Sequence, residues 1–306
     1  MTAAFYCYNN IMPELPEVET VKRGLKKLII GRYIKSVSSD NPKSFPNPKS
    51  DVNRFMAKAR VLSVNRRAKV LLIELSTGYS LMVHLKMTGQ LVFIEAALAD
   101  SNRWGAGHPN SSFVGELPDK STRVIVSFAD GSVLYFNDQR KFGWMKLMPT
   151  GLILEDPFMK KVGPEPLAAS FTNSVFIARL RKRPRTSIKA AILDQSVLAG
   201  VGNIYADESL WGARIHPASI VNTLGDKQLA CLRKEVVYVL NLSIAKGGST
   251  NRNYVDAQGK KGSYSNFAKV YRRDGQPCSR CGTIITKSRV AGRGTHSCNY
   301  CQALAG

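Results

Sequence analysis

Near the start of the chain, Met12-Pro13-Glu14 joins a candidate initiator methionine to a proline and a carboxylic acid. With the methionine removed, Pro13 would carry a free secondary amine. Such an amine can attack an electrophilic carbon and form a Schiff base. Terminal amines titrate near ~7.7–8.0, so a neutral fraction exists at neutral pH. With residues 1–11 still attached, the same nitrogen is an amide and carries no usable lone pair. Residues 1–11 lack a basic region followed by an apolar core, so they do not read as a secretory leader. The expectation is that they lie upstream of the true start at Met12. Glu14 follows directly, just before a helical pattern that gives both residues a fixed base.

A second chemical signal lies at the other end. Cys278-x2-Cys281 and Cys298-x2-Cys301 are separated by 16 residues. Four thiolates at this spacing can close a tetrahedral site on one zinc ion, and a closed site is structural. Between the pairs, 284–289 and 296–298 read as two short strands with Ala-Gly-Arg-Gly at the tip. Residues 269–306 hold seven Lys or Arg and one acid, Asp274. A basic ribbon with Arg293 at its tip suits a phosphate. Cys231 falls in a helical pattern and reads as a small core residue. This cysteine usage fits a reducing cytoplasm better than a disulfide framework.

The charge of the whole chain points the same way. It has 44 Lys plus Arg against 22 acids, a net +22 over 306 residues. That excess calls for a polyanion, with nucleic acid first. No run of about 18 apolar residues exists to cross a membrane. Arg179, Arg181, Lys182, Arg183, Arg185 and Lys189 fall within 11 residues without an acid, and read as a phosphate track.

These groups need elements to hold them. Residues 13–31 have a helical pattern in Val18, Val21, Leu25, Leu28 and Ile29, with acids first and bases later as the helix dipole favours. To about residue 148 the pattern is short strands and turns: hairpins at 70–75 with 79–85 and at 123–128 with 133–136, and further strands at 89–94 and 141–148. Residues 96–121 read as a long surface loop. Helices follow at 172–183, 187–194, 203–212 and 226–245, the last closed by Gly247-Gly248. In Gly-Val-Gly-Asn at 200–203, the glycine-rich turn presents a helix start suited to phosphate, with Asn203 as its cap. The expected fold is α+β, with an N-terminal domain that is a β-sandwich or a flattened barrel and a helical C-terminal domain that ends in a four-cysteine ribbon. The expected boundaries are 12–148 for the first domain, 149–166 for a linker, 167–268 for the helical part and 269–306 for the ribbon.

Taken together, these segments resemble bacterial formamidopyrimidine-DNA glycosylase. The resemblance rests on Pro-Glu-Leu-Pro-Glu-Val-Glu-Thr at 13–20, Arg-Arg-Ala-Lys at 66–69, His-Leu-Lys-Met-Thr-Gly at 84–89 and Asp-Gln-Arg-Lys-Phe-Gly at 138–143. It also rests on Gly-Pro-Glu-Pro-Leu at 163–167, Gly-Val-Gly-Asn-Ile-Tyr-Ala at 200–206 and the cysteine ribbon. They span about 12–302 in the family's order. The Lys120–Val124 stretch departs from the pattern, because many members have histidine after the lysine.

The resemblance implies a β-sandwich for the N-terminal domain, a helix–two-turn–helix motif near 187–212 in the helical one, and removal of oxidised purines from double-stranded DNA, with strand cleavage at the abasic site. By the same resemblance Pro13 is the nucleophile and Glu14 the proton donor, while Glu17 either helps to orient the site or is simply a helix-start carboxylate. Lys69 grips the phosphate beside the lesion and donates a proton in elimination. Arg293 and Asn203 hold phosphate. Met87 fills the hole left by the flipped base, Phe142 wedges beside it and Arg140 meets the orphaned cytosine. Arg185 and Lys189 continue the track, and 251–266 closes over the base. One structural zinc, no membrane, a monomer and a bacterial cytoplasmic location at the nucleoid complete the expectation. Two other readings stay open: a non-catalytic zinc-containing DNA-binding protein, if residues 1–11 block Pro13, and a zinc-ribbon RNA-binding protein.

Overall fold

The computed structural model describes residues 12–96, 103–108, 111–249 and 263–304. The first helix, α1 (Leu15–Ile29), opens on a reciprocal cap, with the Glu17 carboxylate accepting from the Glu14 N–H at 2.9 Å. Its inner stripe, Val18, Val21, Leu25 and Ile29, is buried.

Two antiparallel sheets follow. The strands are β1 (Ile34–Ser39), β2 (Val61–Arg67), β3 (Val70–Leu75), β4 (Tyr79–His84), β5 (Gly89–Ile94), β6 (Arg103–Gly107), β7 (Thr122–Phe128), β8 (Val133–Asp138) and β9 (Trp144–Pro149), with a short helix α2 (Lys49–Phe55) after β1. One sheet runs β1-β7-β8-β5-β6 and the other β2-β3-β4-β9. Alternate side chains of the two, including Val64, Ile73, Leu81 and Val83 against Phe93, Val126, Leu134 and Phe136, share one core with α1. This is the expected sandwich.

One expectation fails within 96–121. Residues 103–107 form an edge strand paired to β5 rather than loop. The pattern hides it because Arg-Trp-Gly-Ala-Gly has weak strand propensity. Trp104 holds it instead, buried against α1, where a side chain at Gly24 would come within 2.9 Å of the indole.

The helical part comprises α3 (Asn173–Arg181), α4 (Ile188–Leu193), α5 (Asn203–Gly212) and α6 (Asp226–Ala245). Thr172 and Ser187 cap α3 and α4. Leu229, Leu232, Val236 and Leu240 of α6 build a second core with Phe176, Ile192, Ile204 and Leu210. Leu15, from the first residue of α1, joins this core and so ties the two domains together. Cys231 does not: it lies exposed on the outer face of α6, since helical spacing gives Leu229 and Leu232 the inner stripe. The chain ends in a hairpin, β10 (Thr286–Val290) with β11 (Arg293–Ser297). Among the described residues, no helix is long and apolar enough to cross a membrane.

Candidate active site and nucleic-acid interface

Pro13 and Glu14 are buried where α1 meets the helical domain. Leu15 N–H donates to the Gly200 carbonyl at 3.0 Å. The Glu14 carboxylate sits on the N-terminus of α5, accepting from Gly202 N–H at 2.7 Å and Ile204 N–H at 3.0 Å. The two glycines of Gly-Val-Gly make this approach feasible. A Cβ on Gly202 would lie 2.3 Å from the Glu14 carboxyl carbon, and one on Gly200 2.7 Å from Leu15. The turn read from sequence as a phosphate cradle is therefore a seat for the chain's own acid.

Burial raises the Glu14 carboxyl to about 7, with Glu17 adding to the rise and Lys69 and the two α5 N–H groups opposing it. At neutral pH both forms coexist, as a proton donor requires. Glu17 is a hub beneath it, accepting from Tyr205 O–H at 2.5 Å, Ser249 N–H at 2.7 Å and Glu14 N–H at 2.9 Å. Its pKa is also raised, chiefly by burial.

Lys69 lies half-buried in the two-residue turn between β2 and β3. Ala68 takes a left-handed φ of +52° there, a strained choice for alanine. Glu165, from Gly-Pro-Glu-Pro, holds the turn by accepting from the Ala68 N–H. Arg66 locks it further, with bonds of 2.9 Å to Glu165 and to the Ala68 carbonyl and 3.0 Å to Glu19. Burial lowers the Lys69 pKa, with Arg293 and Lys86 acting in the same sense, while Glu14 and Glu17 raise it. The two carboxyls and these cations therefore lie within electrostatic reach of one another.

Arg293 is exposed at the start of β11. The residue after it is fixed from below: the Gly294 carbonyl accepts from Asn203 Nδ2 at 2.9 Å and from Lys189 Nζ at 3.0 Å. Two expectations are corrected here. Asn203 does not cap α5 with its side chain, because Glu14 occupies that end, and its amide reaches the ribbon instead. Lys189 is not part of an exposed track. It is fully buried, paired at 2.6 Å with the equally buried Asp207 and bonded to Thr295 Oγ1 at 2.8 Å. Of the other track residues, Arg179 and Arg181 donate to backbone carbonyls and Arg183 pairs with Asp194. Lys182 and Arg185 remain exposed, with no ion pair among the described residues.

Met87, Arg140 and Phe142 come together at the surface. The Arg140 guanidinium lies 3.3 Å from Met87 Sδ and 4.9 Å from the Phe142 ring centre, and Phe142 is 55% exposed. Asp138 sets both loops, accepting from Thr88 Oγ1, from Arg140 N–H at 3.2 Å and from Gly143 N–H at 2.6 Å. An exposed aromatic beside a guanidinium and a thioether is poor core material and good material for a base stack. Of 251–266, the segment expected to close over a base, 251–262 falls outside the described residues.

In the ribbon the four sulfurs of Cys278, Cys281, Cys298 and Cys301 all lie within 4.8 Å of one another. Four thiolates at this separation suit zinc. Three further supports escape sequence reading: Asp207, Glu208 and Trp211, all on α5. Asp207 accepts from His296 N–H at 2.9 Å, and Glu208 from the N–H groups of Lys269, Val270 and Tyr271 at 2.7–2.9 Å. The only sequence signal for the two acids is their adjacency within the helical pattern, and nothing there marks Trp211.

Comparison with known proteins gives three consecutive family matches. Residues 12–145 match the formamidopyrimidine-DNA glycosylase N-terminal domain, 162–255 the H2TH domain of the same glycosylase, and 275–304 a zinc finger found in FPG and IleRS. Formamidopyrimidine-DNA glycosylase of Desulforamulus reducens is 39% identical over 294 residues, covering 95% of this chain and 99% of the relative. That of Streptococcus pneumoniae R6 is 41% identical over 292 residues, covering 95% and 99%. Among solved structures, Lactococcus lactis Fpg with abasic-site DNA aligns with a TM-score of 0.82 at 34% identity, covering 95% of this chain and 99% of that one. MutM in complex with carbocyclic 8-oxo-G DNA aligns with a TM-score of 0.81 at 34% identity, covering 95% and 100%.

Proposed function

This chain belongs to the formamidopyrimidine-DNA glycosylase family, and from that premise we propose that it excises oxidised purines from double-stranded DNA and nicks the resulting abasic strand. The substrates in this reading are 8-oxoguanine opposite cytosine and ring-opened formamidopyrimidines. The observation that carries it is the seat of Glu14: a buried carboxyl next to Pro13, held on two α5 N–H groups and raised to about 7.

In this reading Pro13, as the first residue of the working enzyme, attacks the anomeric carbon of the lesion nucleotide and the base departs. Glu14 gives its proton to the sugar oxygen as the ring opens, so no free alkoxide forms. The iminium on Pro13 acidifies the neighbouring carbon, and successive eliminations release the two phosphates. Lys69 and Arg293 hold the phosphate beside the lesion, and the lowered Lys69 pKa suits it to proton transfer during elimination. Met87, Phe142 and Arg140 occupy the gap left by the flipped base and face the orphaned cytosine. Arg185 and Asn203 add backbone contacts. Zinc, bound by the four cysteines, supplies rigidity to the ribbon and takes no part in a bond-making step. The matched N-terminal domain begins at residue 12, which supports Met12, removed after synthesis, as the functional start. A monomer working on the DNA of a bacterial cytoplasm fits a site completed within one chain and relatives drawn from bacteria.

The test is excision of 8-oxoguanine from a duplex by protein that begins at Pro13. Base release and strand nicking are expected, and Glu14→Gln removes base release. Full release by Glu14→Gln overturns the acid role. No release by the Pro13-first protein overturns the whole reading.

A further inference from the structure

The end of α5 farthest from Glu14 makes a contact of its own. Trp211 lies in the last turn of the helix, and its indole Nε1–H donates to Cys278 Sγ at 3.4 Å. The ring is clamped from the other side. The Arg280 guanidinium stands 3.9 Å from its centre, and Arg280 Nη1 donates to the Trp211 carbonyl at 3.1 Å. Arg280 lies inside the first Cys-x2-Cys knuckle. The helical domain therefore sends one donor into the metal knuckle, and the knuckle returns one cation. Cys278 is buried in a small core with Val270, Ile285 and Cys298, against which Trp211 packs.

We infer that Trp211 is an outer-shell hydrogen-bond donor to the metal-bound thiolate of Cys278, and that it makes zinc retention by the ribbon depend on docking to α5. Four thiolates around one divalent cation leave an excess of negative charge on sulfur. An N–H directed at one sulfur spreads that charge and covers the lone pair that an acid, oxidant or competing metal would attack. Outer-shell partners of this kind change metal affinity by about 10–100-fold. The bond also gives α5 two loads. Its first turn seats the catalytic acid and its last turn steadies the metal, about 10–14 Å apart along the helix. Zinc retention is independent of the glycosylase reading, so its test succeeds or fails separately from that one.

The experiment uses the zinc-loaded full-length protein and follows zinc release to a chromogenic chelator, with and without a fixed dose of hydrogen peroxide. Two substitutions at position 211 are compared. Trp211→Phe keeps a ring over Arg280 and loses the donor. Replacement of Trp211 by benzothienylalanine keeps the bicyclic shape and changes only N–H to sulfur. Both release zinc roughly tenfold faster than the unaltered protein if the bond acts as inferred. Release at the unaltered rate from the benzothienylalanine protein overturns the inference, even where Trp211→Phe is fast, because packing alone would then explain the effect.

Discussion

Replacing Lys189 by methionine separates the two roles that this lysine could have. Its ammonium and the Asp207 carboxylate are both 0% exposed and 2.6 Å apart, so methionine leaves a buried carboxylate without its cation. Breaking a buried pair in this way costs roughly 3–5 kcal/mol. The low end applies, because Asp207 keeps the His296 N–H at 2.9 Å. The bonds from Lys189 to Gly294 and Thr295 also go. At roughly 2–4 °C per kcal/mol for domains of 150–250 residues, the melting temperature falls by about 10 °C. Thermal unfolding followed by circular dichroism measures this. Adding Asp207→Asn removes the stranded charge and restores a large part of the loss. A phosphate contact behaves differently: stability is unchanged, and the salt dependence of DNA binding falls by about one charge. That second pattern, or a loss below about 1 kcal/mol, refutes the buried-latch account.

Two further outcomes follow from the site. Glu14 goes from an ordinary 4.5 to about 7 on folding. A carboxyl raised by folding stabilises the fold fully below the lower value, and that contribution disappears as pH rises through the upper one. At about 1.4 kcal/mol per pH unit, stability falls by roughly 3 kcal/mol between pH 4.5 and 7. Urea unfolding across this window shows the fall in the unaltered protein, and the Glu14→Gln difference curve isolates it. A flat difference curve contradicts the buried seat. Arg140→Ala weakens the preference for cytosine opposite the lesion by about 1–3 kcal/mol, or roughly 5–150-fold in relative excision, with no change in melting temperature. An unchanged preference rules out its contact with the orphaned base.

Much of this architecture was legible because single segments announce themselves. The α1 stripe, the paired hairpins, α6 and the cysteine spacing are local patterns, and local physics decides them. What escaped depends on partners distant in sequence. Strand β6 is a strand because β5 lies beside it and α1 covers Trp104. Gly200 and Gly202 looked like phosphate glycines, yet their missing side chains make room for Leu15 and Glu14, nearly 190 residues earlier. Lys189 sits in a basic run, and nothing in that run reveals Asp207 of α5, the acid that turns it inward. Glu165 reads as part of a loop motif, and only the fold shows it holding the turn that carries Lys69.

Borohydride trapping tests the central claim most directly. Protein beginning at Pro13 is mixed with an 8-oxoguanine duplex, reduced, digested and mapped by mass spectrometry. The expected result is a stable sugar adduct on the Pro13 nitrogen, and none from protein that retains residues 1–11. An adduct on a lysine, or no adduct from the Pro13-first protein, contradicts the account.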